Sequence, residues 1–307
     1  MVATRSSETT DTVVRRLATG VLVFTVLVIL GGSVVRATES GAGCGDQWPR
    51  CEGHIIPWSA EGATTIEFAH RASTAILGIL LVALVVTVVR RTERGAPIRR
   101  ALAWAGAFFV AEVAIGALLV LFGWVDQDAS IGRVVAMTVH LANTFLLLAA
   151  LTLVVWLARG GAPPRVDLGR TADRLLLAGA VVLLVVAASG ALNALADTLF
   201  PADESSGSGH FLADLRVLHP MIAIVGGVAV VLLSRARALA GATAEPWRRA
   251  IAVIVAIQFA MGVVNIALLT PVETQVLHLL LADPLWIVWI VFGASVIAAE
   301  QLEAQKS

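Results

Sequence analysis

Charged residues are scarce in this chain. Asp, Glu, Lys and Arg make up only 14% of its 307 residues, whereas 58% are hydrophobic and the mean hydropathy is +0.87. Soluble domains typically carry about 25% charged residues, so this composition excludes an ordinary soluble enzyme. The formal net charge is zero and gives no sign of a polyanionic ligand. We therefore expect an integral membrane protein in a lipid bilayer, without a nucleic-acid partner.

Several other signatures are also missing. Only two cysteines are present, and no G-x-G-x-x-G segment occurs where a strand would lead into a helix, so no flavin or nicotinamide site is expected. No A-x-A-like cleavage site follows the first apolar run, which we interpret as a retained first helix rather than a signal peptide. We expect no soluble domain beyond the loops and tails.

Long continuous apolar runs are what the sequence does contain. A hydrocarbon core requires about 20 apolar residues per helix, and eight runs of about this length are present. They predict an all-α membrane protein with eight transmembrane helices. The runs are residues 17–35, 66–89, 101–122, 134–157, 175–195, 212–233, 250–269 and 276–298.

The basic residues predict the orientation of these helices. All but five of the 22 Lys and Arg residues lie in the N-terminal tail, in the even-numbered loops or near the C-terminus. Cytoplasmic segments are enriched in basic residues, so both termini are expected in the cytoplasm and the odd-numbered loops outside the cell membrane. The five exceptions are Arg36, Arg50, Arg71, Arg133 and Arg216.

Both cysteines lie in the longest predicted outer loop, residues 36–65. Cys44 and Cys51 are seven positions apart on the oxidising side of the membrane, so we expect them to form a disulfide. Their spacing is not Cys-x-x-Cys, which favours a structural staple over a redox-active pair. Both interpretations remain open at this point.

Ionisable side chains open the second apolar run, in residues 66–71 (IEFAHR). Helical spacing puts Glu67 and His70 on one face, where a carboxylate beside an imidazole can transfer a proton or assist a ligand. An ion pair between Glu67 and Arg71 that only stabilises the start of the helix is the alternative. Glu112, in the middle of the third run, is expected to face inward because an unpaired carboxylate is costly in lipid.

The second half of the chain repeats the first. Each half has four predicted helices, an even number, so the halves share one orientation and are related by a pseudo-two-fold axis along the membrane normal. The matched positions are His70 with His219, Gly78 with Gly227, Glu112 with Gln258, and His140 with His278. The predicted parts are a tail of residues 1–16, halves of residues 17–157 and 175–299, a linker of residues 158–174 and a tail of residues 300–307.

Four histidines begin helices 2, 4, 6 and 8, all near the predicted outer side. Histidine in apolar surroundings is a common axial ligand of haem iron, and two histidines on facing helices can hold one haem. We expect two haem sites, His70 with His140 and His219 with His278. Four separately hydrogen-bonded histidines are the alternative. Zinc or copper is disfavoured because no clustered third ligand is present.

The two halves differ in their acidic residues. Glu67, three positions before His70, is matched by Arg216, and Glu112 is matched by Gln258. An acid–base pair suits a site that turns over its ligand, whereas a site without one suits a resident electron-transfer or structural haem. Outer arginines either pair with haem propionates or snorkel at helix ends. The candidates are Arg36, Arg71, Arg133 and Arg216.

In these features the chain resembles the haem A synthase family. The segments that carry the resemblance are residues 36–44 (RATESGAGC), 48–51 (WPRC) and 67–71 (EFAHR), together with the three later histidines. The resemblance implies an oxidoreductase that acts on a CH group. It would oxidise the C8 methyl of haem O to a formyl group by successive hydroxylations, with oxygen from water, for cytochrome oxidase biogenesis.

The resemblance also implies a role for each residue of the site. His70 and His140 would hold the substrate haem O, and Glu67 would be the essential carboxylate. His219 and His278 would ligate a resident haem b. The cysteine pair matches the outer-loop pair of Gram-positive members. Some of those members have a second pair in the corresponding loop of the second half, and this chain has none, which disfavours a relay through two disulfides. Haem O synthase, a protohaem farnesyltransferase, is an expected partner. Whether the protein forms a homo-oligomer is left open by the sequence.

Three other functions remain as alternatives. A two-haem b-type electron-transfer cytochrome would bind only haem b and gives Glu67 no role. A disulfide-generating membrane oxidoreductase would use the cysteine pair but leaves four histidines unexplained. A repeat-built transporter would use Glu112 and the histidines as a proton relay, but such sites usually lie near the bilayer midplane.

Overall fold

The computed structural model describes residues 11–58, 61–200, 212, 216–241 and 244–304. This part of the chain forms eight α-helices, with short 3₁₀ turns at Ser40–Ala42 and Arg237–Leu239. In chain order the helices are α1 (Thr12–Ala37), α2 (Gly62–Arg91), α3 (Pro97–Leu121), α4 (Ile131–Ala158), α5 (Thr171–Leu199), α6 (Leu218–Ser234), α7 (Glu245–Ala267) and α8 (Val272–Ala304).

Most of the helices begin several residues before the apolar runs that predicted them, and the capping residues explain why. The Asp11 carboxylate caps α1 by accepting a hydrogen bond of 2.9 Å from the Val13 amide. Ser130 caps α4 in the same way by accepting from the Arg133 amide. Proline in the first turn of α3 and α7 fixes a helical φ where no amide donor is needed.

Seven of the eight helices are long and apolar enough to cross a membrane, which confirms the all-α membrane class. The exception is α6, whose 17 residues stand at the lower limit for a transmembrane helix. Its apolar run was predicted to begin at residue 212, whereas the described helix begins at Leu218, and residues 213–215 lie outside the described part. Of the predicted tails, residues 1–10 and 305–307 lie outside it too.

Helices α4 and α8 form the centre of the molecule. Over half of each apolar window, 56%, is buried inside the protein, against 28% or less in the other long helices, which leave wide apolar surfaces for lipid. The two helices pack on each other and on α1 and α5. The Trp286 indole N–H donates to the Phe145 carbonyl at 2.7 Å, and the two rings meet edge to face. The halves therefore join through α4 and α8.

Candidate functional site

Glu67 lies in the second turn of α2 and is only 3% exposed. Its Oε2 accepts a hydrogen bond of 2.7 Å from the Cys44 amide, and its Oε1 accepts one of 3.0 Å from Arg71 Nε. The predicted ion pair with Arg71 therefore exists. It is not a helix cap, because α2 begins at Gly62, more than one turn earlier. Two fixed donors instead hold a buried carboxylate in one orientation.

The cysteine loop is closed by a disulfide between Cys44 and Cys51, with both residues buried, which confirms the predicted pair. The Arg71 guanidinium reaches back into this loop and donates to the carbonyls of Gln47 at 2.8 Å and Arg50 at 3.0 Å. The disulfide loop and the start of α2 are thus linked from both sides. The loop covers Glu67 and supplies one of its two donors.

A glycine brings this loop into contact with α2. A side chain at Gly43 would place its Cβ only 2.4 Å from the Ala63 carbonyl, a distance that no other residue tolerates. The Thr64 hydroxyl donates to the Gly43 carbonyl at 2.7 Å. The backbone of the loop therefore lies directly on the first turn of α2, which is why the Cys44 amide can reach Glu67.

His70 lies one helical turn inward from Glu67, with its ring against α1. A Cβ on Gly32 would lie 3.0 Å from its Cε1 atom, and one on Gly31 would lie 3.5 Å from its Nδ1 atom. The ring is within electrostatic range of His140 and Glu112. In the described part of the chain, its buried Nδ1 atom has no hydrogen-bond partner.

His140 lies on α4 and faces α3. Its Nδ1 atom is 3.3 Å from a carboxylate oxygen of Glu112, outside hydrogen-bond geometry. The same carboxylate accepts hydrogen bonds from the side chains of Asn143 and Thr144. The prediction that Glu112 faces inward is correct, and the residue has partners that the sequence did not identify.

The rings of His219 and His278 in the second half lie 6.4 Å apart and nearly perpendicular. Ser189 Oγ is 3.0 Å from His219 Nδ1. The Gln258 amide donates to the His278 carbonyl at 3.1 Å, and its nitrogen is 3.3 Å from His278 Nε2.

Corresponding contacts occur in both halves. In each half, a glycine of the first helix lies against the ring of the first histidine. A glycine of the third helix lies near the ring of the second histidine. A phenylalanine of the third helix packs on a glycine of the second helix. The pairs are Gly32–His70 and Gly190–His219, Gly116–His140 and Gly262–His278, and Phe109–Gly78 and Phe259–Gly227.

The four candidate propionate partners all contact protein acceptors. Arg36 donates to acceptors on α5 and α8, and Arg71 to Glu67 and the cysteine loop. Arg133 is buried and donates to the Asp126 and Asp128 carbonyls. Arg216 is 3.9 Å from the Asp197 carboxylate. Their role toward a haem stays a prediction.

Sequence reasoning missed several polar residues around the site. Asn143 and Thr144 follow His140 by about one turn, a spacing that could have indicated them, whereas nothing in the sequence indicated Ser189. Asp283 on α8 is fully buried and, among the described residues, has no hydrogen-bond partner. We assign it no role.

The donor chemistry fits haem better than a bare metal ion. Nδ1 atoms of His70, His140 and His278 are buried without hydrogen-bond partners in the described part of the chain. No three His, Cys, Asp or Glu residues cluster there as a metal site. Two imidazoles in apolar surroundings are a donor set for haem iron. The class that this fold and site define is a multi-helix membrane protein with half-buried histidines between its helices, suited to haem.

Comparisons with known proteins identify the family. A family model, COX15-CtaA, described as cytochrome oxidase assembly protein, matches residues 15–290. The chain therefore belongs to the COX15-CtaA family.

Three relatives illustrate the similarity. The chain is 41% identical over 290 residues to a Thermus thermophilus protein named protoheme IX farnesyltransferase. The aligned region covers 91% of this chain and 47% of that relative. It is 37% identical over 101 residues to heme A synthase of Lysinibacillus sphaericus, 33% of each chain. It is 29% identical over 168 residues to heme A synthase of Exiguobacterium sibiricum, 54% of each chain. The chain spans about half the length of the Thermus relative.

Proposed function

We propose that this protein is a haem A synthase, which oxidises the C8 methyl of haem O to a formyl group. The observation that carries the proposal is the Glu67 carboxylate, buried at 3% exposure and fixed by the Cys44 amide and Arg71. One turn away on the same helix is His70. A preorganised carboxylate beside a ligand histidine is what proton transfer at a bound substrate requires.

The first half binds the substrate. His70 and His140 hold haem O, and Glu67 orients the attacking water or takes a proton. Each hydroxylation replaces one methyl C–H bond by C–OH and releases two electrons and two protons, because the oxygen comes from water. The second hydroxylation gives a geminal diol, which loses water to form the formyl group. Arg71 and the Cys44 amide keep Glu67 in place throughout.

The second half holds the resident cofactor. His219 and His278 would hold haem b, and Ser189, 3.0 Å from His219 Nδ1, would orient that ring. A haem b held there would supply one-electron transfer, and an external oxidant would accept the four electrons that the two hydroxylations release. Arg216 stands where the first half has Glu67, and its nearest acid is Asp197. A site without the carboxylate has no group for methyl oxidation.

The remaining features of the proposal concern location and partners. The matched glycine and phenylalanine contacts support two halves related by a pseudo-two-fold axis. Both haem sites lie toward the outer face of the cell membrane, with both termini in the cytoplasm and eight spans between them. More than half of the Thermus farnesyltransferase lies outside the matched region. That arrangement supports a protohaem farnesyltransferase as the partner that delivers haem O.

The first test is mass analysis of the haems extracted from protein purified from cells that also make haem O. We expect haem b together with haem A or its hydroxylated intermediate. Haem b alone would favour the two-haem electron-transfer cytochrome, and protein without haem would overturn both functions.

The second test is the Glu67→Gln variant. It keeps the shape of the side chain but removes the charge and the base, so haem stays bound while methyl oxidation falls by at least about 100-fold. Glu61→Gln is the matched control, because Glu61 makes no capping hydrogen bond at the start of α2. Undiminished haem A formation in Glu67→Gln would remove this residue from the mechanism.

A further inference from the structure

A carboxylate lies beside His140 of the first histidine pair. Glu112 lies on α3, in the middle of a transmembrane helix, and its side chain is 16% exposed. Both of its oxygens accept hydrogen bonds, one from Asn143 and one from Thr144. Asn143 also donates to the Phe108 carbonyl at 2.8 Å, which anchors it to α3. The network presents the carboxylate to His140 at a distance of 3.3 Å.

The matched position in the second half carries no charge. Gln258 lies on α7 and contacts His278 through its amide nitrogen. The two helix pairs, α3 with α4 and α7 with α8, each pack closely. At this matched position the two halves therefore differ in charge, with a carboxylate beside the first histidine pair and a neutral amide beside the second.

We propose that Glu112 is a positioning residue whose charge holds the reduction potential of the first haem site below that of the second. This inference rests on the proposed function, since it requires haem in both halves. A negative charge close to the ligand imidazole stabilises the more positive, oxidised iron. The neutral Gln258 amide gives the second site no such stabilisation.

The difference in potential gives electron flow a direction. Electrons move toward the site of higher potential, so with haem in both halves those released at the substrate would be favoured to pass to the second half and from there to an external oxidant. Glu112 and Glu67 thus divide the work at one site. Glu67 on α2 orients the water or takes a proton. The Glu112 charge on α3 lowers the reduction potential of the first site and so favours electron transfer out of it.

A reciprocal pair of substitutions tests this inference. Glu112→Gln is made in a His219→Ala/His278→Ala background, which leaves only the first haem site. Gln258→Glu is made in a His70→Ala/His140→Ala background, which leaves only the second. The midpoint potential of the remaining haem is measured by optical redox titration of the purified protein at fixed pH, each against its own background.

We expect Glu112→Gln to raise the potential of the first site by at least the equivalent of a tenfold change in the one-electron equilibrium, about 59 mV. Gln258→Glu is expected to lower the potential of the second site. The potential of the Glu112→Asp variant, which keeps the charge, is expected to stay near that of its background protein. If Glu112 had only a structural role, its substitution would change haem retention but would not produce these opposite shifts in midpoint potential.

Two results overturn the inference, and they are distinguishable. Unchanged potentials in haem-loaded Glu112→Gln and Gln258→Glu variants would overturn it and leave the proposed function standing. An unsubstituted chain that holds no haem in its first half would overturn the proposed function as well. If Glu112→Gln does not retain haem, the Gln258→Glu variant decides, because it adds a charge to an intact site.

Discussion

The histidine rings are positioned by glycines on neighbouring helices. Gly31 and Gly32 stand near the end of the first apolar run, where glycine often terminates a helix. In the structure α1 continues to Ala37, and the glycines lie inside it. They are needed because the His70 ring approaches the helix backbone closely. The sequence alone could not distinguish these two uses of glycine, because the difference depends on which helix packs alongside.

Substitution of Gly32 tests this arrangement. A Cβ at this position would lie 3.0 Å from His70 Cε1 and 3.3 Å from Nε2, so Gly32→Val displaces the ring. We expect haem retention in the first half to fall about tenfold or more, as for other losses of ligand orientation, while haem in the second half stays bound. The measurement is the haem-to-protein ratio with spectra of the purified variant.

The control for this substitution lies on the same helix. Gly20 is exposed, and a Cβ there would meet nothing within 4 Å, so Gly20→Val carries the same change in helix propensity without touching a ligand. It should retain both haems. Full haem content in Gly32→Val would show that the His70 ring does not depend on the space above this glycine.

At the scale of elements, one arginine connects three helices. Arg36, near the end of α1, donates to the Ala194 carbonyl and the Thr198 hydroxyl of α5, each at 2.7 Å, and to Gln275 Oε1 of α8 at 2.8 Å. The sequence suggested a propionate partner for this residue. Its bonds instead run from the first half to the second, which assigns it a structural contribution whatever else it binds.

Replacement of Arg36 should therefore destabilise the protein. Hydrogen bonds to a charged group contribute about 1.5–3 kcal/mol each when buried, and these are half-buried, so we expect Arg36→Gln to lose about 2 kcal/mol in total. The measurement is thermal unfolding in detergent, together with the haem content. Loss of haem without loss of stability would indicate instead that a propionate is the main partner of Arg36.

Arg91→Gln is the control for Arg36→Gln. Arg91 forms an exposed ion pair of 2.8 Å with Asp11 at the end of α2 opposite the cysteine loop. Hydrogen bonding to Arg91 lowers the pKa of the Asp11 carboxyl, so any contribution of this pair is present above the usual pKa of Asp and is lost as the pH falls through the lowered value. Because exposed pairs are screened by water, its replacement should change the stability far less.

The helices and the histidines could be predicted from the sequence because both depend on local patterns. Apolar runs located all eight helices, and the spacing of Glu67, His70 and Arg71 placed them on one helix face. Contacts between helices could not be predicted in this way. The bonds from Asn143 and Thr144 to Glu112, and from Ser189 to His219, depend on how neighbouring helices are rotated, which hydropathy does not encode.

At the scale of the whole molecule, the asymmetry of charge predicts which face of the membrane holds the site. Arginines cluster in the loops between α2 and α3, α4 and α5, and α6 and α7, and such loops stay in the cytoplasm. The cysteine loop, Glu67 and the outer ends of α2 and α4 lie at the opposite ends of the helices. The disulfide between Cys44 and Cys51 agrees with this orientation, because disulfides persist on the oxidising side.

Single cysteines in two exposed loops test this orientation. Gln127 lies between α3 and α4, and Arg94 lies between α2 and α3. The native Cys44 and Cys51 are buried and joined, so they do not compete for the reagent. A membrane-impermeant maleimide should label Gln127→Cys in intact cells, whereas Arg94→Cys should react only after the membrane is permeabilised. The reverse pattern would place Glu67 and the disulfide on the cytoplasmic side, where the reducing environment would open the loop that holds this carboxylate.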